Sequence, residues 1–135
     1  MEQKILDEIK NQDYSVILKR IQDSIKHEIS TNNTNGVIFG LSGGIDSAVI
    51  AYLCADVIKD KTTAIIMPDS KISPESETDD ALKIVDELKL NYKLIDINQI
   101  HKEYCKISEP EEKALGNLRA RIRKNILYYY ANSKN

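Results

Sequence analysis

The sequence predicts a three-layer α/β domain, a parallel sheet with helices on both faces. Three observations carry that expectation. Short apolar runs at residues 37–41, 62–67 and 92–97 alternate with segments whose apolar residues recur at three- and four-residue spacing. The middle run, Thr62-Thr63-Ala64-Ile65-Ile66-Met67, is nearly all apolar at its end, as in strands covered on both sides. Helical crossovers between such strands imply parallel pairing and right-handed connections.

The elements follow in order. Residues 2–30 read as helix, with Ile5, Ile9, Ile17, Leu18, Ile21, Ile25 and Ile29 on one stripe. Asn11-Gln12-Asp13 divides it into two, and Asp13 is placed to cap the second. A polar loop follows to Gly36, then the first strand at 37–41. A helix runs on to about Lys59, then the second strand at 62–67, with Pro68-Asp69-Ser70-Lys71 opening a loop at its carboxyl end. Residues 75–88 form a helix that buries Ala81, Ile84, Val85 and Leu88. The third strand is expected at 92–97 and a short helix at 100–105. Ser108-Glu109-Pro110-Glu111 has the spacing of a capping box and opens a long helix toward Tyr130, with Gly116 as the point where it can break.

Bulk properties narrow the function. The chain has 135 residues, 41% hydrophobic and 30% charged, and suits one globular domain. A net charge of −2 does not point to nucleic acid or an anionic membrane. No apolar run approaches the ~20 residues of a membrane span, and the first residues lack a signal core, so a cytoplasmic protein is expected. Cys54 and Cys105 have no partners at metal-ligand spacing and read as reduced and structural. His27 and His101 read as solvated residues.

The chemistry concentrates in Leu41-Ser42-Gly43-Gly44-Ile45-Asp46-Ser47, between the first strand and an apolar helix. A glycine turn at a helix start aims backbone N–H groups at one spot, where the helix dipole favours negative charge. Gly43 and Gly44 lack Cβ, so an anion can approach closely. Ser42 and Ser47 add hydroxyls, and Asp46 can hold a divalent cation. These parts suit a phosphate chain with a metal ion. The bland alternative is a small-residue turn with a Ser or Asp N-cap. The pattern is neither a Walker A loop, which needs G-x-x-x-x-G-K-S/T, nor a dinucleotide fingerprint. The adjoining Pro68 loop lies at the same sheet edge, where ligands of such folds bind.

A second cluster, Gly116-Asn117-Leu118-Arg119-Ala120-Arg121-Ile122-Arg123, sets arginines at alternate positions before Lys124. Arg119 and Arg123 share a helix face and Arg121 points elsewhere, so one can reach a ligand while others pair with carboxylates or a neighbouring subunit. Taken alone, the cluster better suits a solvated basic helix face with ion pairs to nearby carboxylates.

The S-G-G-x-D-S loop resembles that of the N-type ATP pyrophosphatases. Together with G-N-x-x-A-R-x-R, Leu127-Tyr128, Ala131-Asn132, Ile66-Met67-Pro68, Asp80-Ala81 and Ile95-Asp96-Ile97, it resembles ammonia-dependent NAD synthetase over residues 15–132. The resemblance implies an adenine nucleotide alpha hydrolase-like, Rossmann-like fold. It implies ATP-dependent adenylation of deamido-NAD, release of pyrophosphate with Mg²⁺ assisting, and attack by ammonia to give NAD and AMP. Carried over by motif, Gly40, Leu41, Ser42, Gly43, Gly44, Ile45, Asp46 and Ser47 would hold the ATP phosphates. Ile66 and Met67 would lie by the adenine with Pro68, Asp46 would ligate Mg²⁺, and Arg121 would contact deamido-NAD. No side-chain nucleophile or base is implied. Family members are homodimers, and Tyr128, Tyr129 and Tyr130 would serve that contact or the core.

The sequence also departs from the family. Lys124 stands where an apolar Met is usual. The strand and G-T-x-N-K-S-E segment expected after Asn132 do not follow, so residues 1–135 read as a single NAD synthetase domain lacking its C-terminal part. With no glutaminase region before Met1, ammonia is the expected nitrogen donor. The alternatives are another enzyme of the superfamily, of the GMP synthetase or tRNA-modifying type, or a non-catalytic ATP-binding module.

Overall fold

The computed structural model describes residues 2–107 and 111–134. Two helices lead in, α1 (Glu2–Lys10) and α2 (Tyr14–Thr31). Asp13 caps α2 as expected, its carboxylate accepting from the Ser15 and Val16 N–H groups at 3.0 and 3.4 Å. The Ser15 hydroxyl, which donates to the same carboxylate, and these N–H bonds hold Asp13 below its ordinary pKa. α2 packs along α3 (Ile45–Ile58) without fully burying any of its own residues.

Three parallel strands follow the order β1 (Val37–Gly40), β2 (Thr62–Ile66), β3 (Asn91–Leu94). Val37 sits opposite Thr62, and Ile66 opposite Leu94. Central β2 alternates between two cores, as a strand's two-residue period requires. Ala64 and Ile66 join Phe39, Leu41, Ala51, Ala81 and Val85, under α3 and α4 (Glu75–Leu88). Ile65 and Met67 join Ile97 and Ile122, under α5 (Asn98–Cys105) and α6 (Glu112–Lys134). The three layers are therefore as predicted.

Three expectations change in detail. β3 stops at Leu94 rather than Ile97. Ile95 and Ile97 still donate to the carbonyls of Ile66 and Pro68, at 2.9 Å each. Pro68 has no N–H to return, so the ladder cannot continue. Asp96, accepting from the Ser70 and Asn98 N–H groups, turns the chain into α5. α6 passes through Gly116 unbroken, since packing of Leu118 and Ile122 outweighs the ~1 kcal/mol that a helical glycine costs. His101 is buried, with Cys105 Sγ 3.8 Å from its ring, because the side of α5 that carries Asn98 and His101 is the one that packs inward; His27 is exposed as expected. The proposed capping box at Ser108 to Glu111 falls largely outside the described residues. Both cysteines are free thiols, and burial raises the pKa of Cys54. Among the described residues no helix is long and apolar enough to cross a membrane.

Candidate functional site

The site forms where β1 ends. Leu41 still donates to the Ile65 carbonyl at 3.0 Å, and the chain then leaves the sheet. Gly43 takes φ +84°, a left-handed conformation that a side chain strains. A Cβ there would also fall onto the carbonyl oxygen of Glu77 in the first turn of α4, so the glycine lets the loop lie against that helix. Gly44 is extended and serves as the N-cap of α3, and no side chain caps the helix. The first-turn N–H groups are thus left for an outside acceptor. The turn is not one capped by Ser or Asp.

The two serines brace the loop instead. The Ser42 N–H donates to Ser47 Oγ at 3.2 Å, the Ser47 hydroxyl donates to the Gly44 carbonyl at 2.9 Å, and the Gly44 N–H donates to Ser42 Oγ at 3.3 Å. Asp46 stands exposed in the first turn of α3.

Beside the loop lies a cleft of about 520 Å³. Gly40, Leu41 and Ser42 form one wall, and Ile66, Met67 and Pro68 another. The third comes from α6, through Ala120, Arg123, Lys124 and Leu127, and Ser73, Glu77 and Thr78 line the α4 side. Five of the residues expected at the nucleotide, Gly40, Leu41, Ser42, Ile66 and Met67, therefore share one cavity. Gly43, Gly44, Ile45, Asp46 and Ser47 complete the turn and helix start without lining it. Arg121 is exposed on α6 and does not line it either.

Asp69 has a structural role that its sequence context did not assign. It is 1% exposed at the exit of β2. Arg119 Nε donates to one carboxylate oxygen at 2.8 Å; Asn98 Nδ2 and the Lys71 N–H donate to the other at 2.8 and 3.3 Å. Burial pushes its pKa up, but Arg119, Asn98 and Lys71 outweigh that and hold it at about 2. This cluster ties the Pro68 loop to α5 and α6. One turn further along α6, Arg123 Nε donates to the Met67 carbonyl at 2.8 Å. The signal for Asp69 was an acidic residue just past a buried strand; read locally, it looked like an ordinary turn.

A divalent cation would find Asp46 as a hard oxygen donor at the loop. Among the described residues no three His, Cys, Asp or Glu side chains cluster to cage a metal. That donor set fits Mg²⁺ carried on a phosphate chain, which ordinarily uses one or two carboxylates beside phosphates and water.

Comparison with known proteins places this geometry. The NAD synthase family model matches residues 17–135. The NH(3)-dependent NAD(+) synthetase of Archaeoglobus fulgidus is 40% identical over 124 residues, 90% of this chain and 50% of the relative. Among solved structures, NH3-dependent NAD synthetase from Campylobacter jejuni, in complex with the nitrate ion, superposes with TM-score 0.87 at 39% identity. The match covers 92% of this chain and 54% of that one. NMN synthetase from Francisella tularensis superposes with TM-score 0.85 at 28% identity, over 93% of this chain and 52% of that one. The chain spans about half the length of the curated relatives it matches.

Proposed function

Since the chain belongs to the NAD synthase family, we propose that its glycine loop and adjoining cleft bind ATP for the amidation of deamido-NAD with ammonia. The observation that carries this reading is the uncapped start of α3 opening beside a cleft walled by β1, β2 and α6.

In this reading the uncapped N–H groups at the start of α3 and the Ser42 hydroxyl receive the phosphates, and the apolar wall at Ile66, Met67 and Pro68 takes the adenine. The nicotinate carboxylate of deamido-NAD attacks the α-phosphorus. A carbon-bound oxygen gains the adenylyl group, and the bond to the β-phosphate oxygen breaks, releasing pyrophosphate. Ammonia then adds to the activated carbonyl, AMP departs with the bridging oxygen, and one proton is lost to solvent. The chain's contribution is positioning, together with donors fixed toward charge that grows on the leaving pyrophosphate. Asp46 would hold Mg²⁺, which when bound neutralises phosphate charge.

Arg121, exposed on α6, is assigned to deamido-NAD. Tyr128 and Tyr129, 58% and 68% exposed on the same helix, support a homodimer contact along it. The free thiols Cys54 and Cys105 are in keeping with a reducing, cytoplasmic setting.

The test is pyrophosphate release in the presence of ATP, Mg²⁺ and ammonium, with and without deamido-NAD. Release should require deamido-NAD, and Asp46→Ala should lower it about a hundredfold or more, the scale of losing one preorganised electrostatic contact. Unchanged turnover in Asp46→Ala would remove Asp46 from the metal site. Saturable ATP binding with no deamido-NAD-dependent release would leave a nucleotide-binding module.

A further inference from the structure

We propose that Arg123, with Lys124 beside it, forms a cationic wall of the cleft and takes the phosphates of the nucleotide from the side opposite the glycine loop. The proposal rests on the reading that this cleft holds ATP.

Three observations carry it. The first is position. Arg123 and Lys124 lie next to each other on α6 and both line the cavity bounded elsewhere by Gly40, Leu41 and Ser42. Glu77 is the acidic lining residue, so the lining side chains carry two positive charges against one negative. A polyanion entering this space meets the Ser42 hydroxyl on the loop and cations on the helix.

The second is pairing. The Arg123 side chain is half-buried, and its Nε donates to an uncharged acceptor, the Met67 carbonyl. Among the described residues no carboxylate lies within ion-pair distance of it. Asp69, the acidic group that most favours its charge, is already engaged by Arg119 and Asn98. Burial draws Arg123 down from the ordinary arginine range, yet it stays protonated at neutral pH. A partly desolvated guanidinium without a counter-ion is unfavourable, and an anion brought by a ligand relieves that.

The third is rigidity. The bond to Met67 fixes the base of the guanidinium and leaves its outer nitrogens for a planar, two-point contact with phosphate. Arg119, locked on Asp69 one turn earlier, holds α6 in register. The arginines at 119 and 123 therefore divide the work. Arg119 positions the helix and Arg123 meets the ligand.

Isothermal titration of the folded chain with ATP and with inorganic tripolyphosphate tests this. Wild type should bind both, and more weakly as salt rises. Arg123→Gln should weaken both about tenfold or more, as expected for losing a charge-assisted contact. Arg123→Lys should fall between the two, because it keeps the charge but loses the fork. Lys124→Ala should show a smaller loss with a reduced salt dependence, and it serves as the second probe if Arg123→Gln does not fold. Equal losses in Arg123→Gln and Arg123→Lys would assign Arg123 a purely structural role on Met67. Wild-type affinity in Arg123→Gln and Lys124→Ala would overturn the proposal while leaving the cleft as the ATP site. A folded wild type that binds neither ligand would overturn the cleft reading itself.

Discussion

Replacing Gly43 with alanine is expected to unfold the loop locally and to cost about 2 kcal/mol or more of stability from the backbone conformation alone. The residue holds φ +84°, and the new methyl group would overlap the Glu77 carbonyl at the start of α4. Relief requires the loop to move off α4, which displaces the uncapped N–H groups at the start of α3. Two lost charge-assisted bonds to phosphate correspond to roughly a hundredfold weaker ATP binding. Gly44→Ala is the control. Gly44 is extended at φ −78°, ψ 157°, and its added Cβ would meet Ser42 Oγ at 3.4 Å, so its stability should change by less than about 1 kcal/mol. Urea unfolding and ATP titration of the two variants decide the matter. Equal behaviour of the two would contradict the role given to Gly43.

Asp69→Ala should be the most destabilising change outside the loop. It leaves Arg119 without its carboxylate and removes the acceptor of Asn98. Breaking a buried pair costs about 3–5 kcal/mol. Arg119 is 17% exposed, and water can take up part of its charge. The expected loss is therefore about 3 kcal/mol. The change also has a pH signature. The carboxyl titrates near 2 in the folded chain and near 4 when unfolded, so its folded pKa is depressed. Its stabilisation is complete above about pH 4 and is lost as pH falls through about 2. The gap between wild type and Asp69→Ala should narrow over that window. A gap below about 1 kcal/mol at neutral pH would show that Asp69 does not hold the Pro68 loop to α6.

Much of this fold was legible in local patterns. The stripe of Ala81, Ile84, Val85 and Leu88 defined α4, whose observed bounds are Glu75–Leu88. Asp13 announced the start of α2 because a short side-chain acceptor at that point satisfies orphan N–H groups. The glycine turn was legible because strand, small residues and helix occur in sequence, all within one short stretch.

What was not legible depended on partners distant in the chain. Helical spacing put Arg119 and Arg123 on one face but could not say which would meet a carboxylate. That choice follows from where β2 delivers Asp69 and Met67, 50 and 56 residues away. Asp69 looked like a turn residue because its burial comes from α5 and α6, not from its neighbours. His101 looked solvated for the same reason. The end of β3 depends on Pro68, just past the adjacent strand β2, which no pattern within β3 records.

In the function proposed above, the glycine loop and α6 bind the same nucleotide. Backbone amide NMR of the chain during ATP titration tests it most directly. Saturable shifts are expected at Ser42, Gly43, Gly44 and Ser47 together with Arg123, Lys124 and Leu127, and none along the outer face of α2. Shifts confined to surfaces outside the cleft, or no saturable shifts in a folded chain, would contradict it.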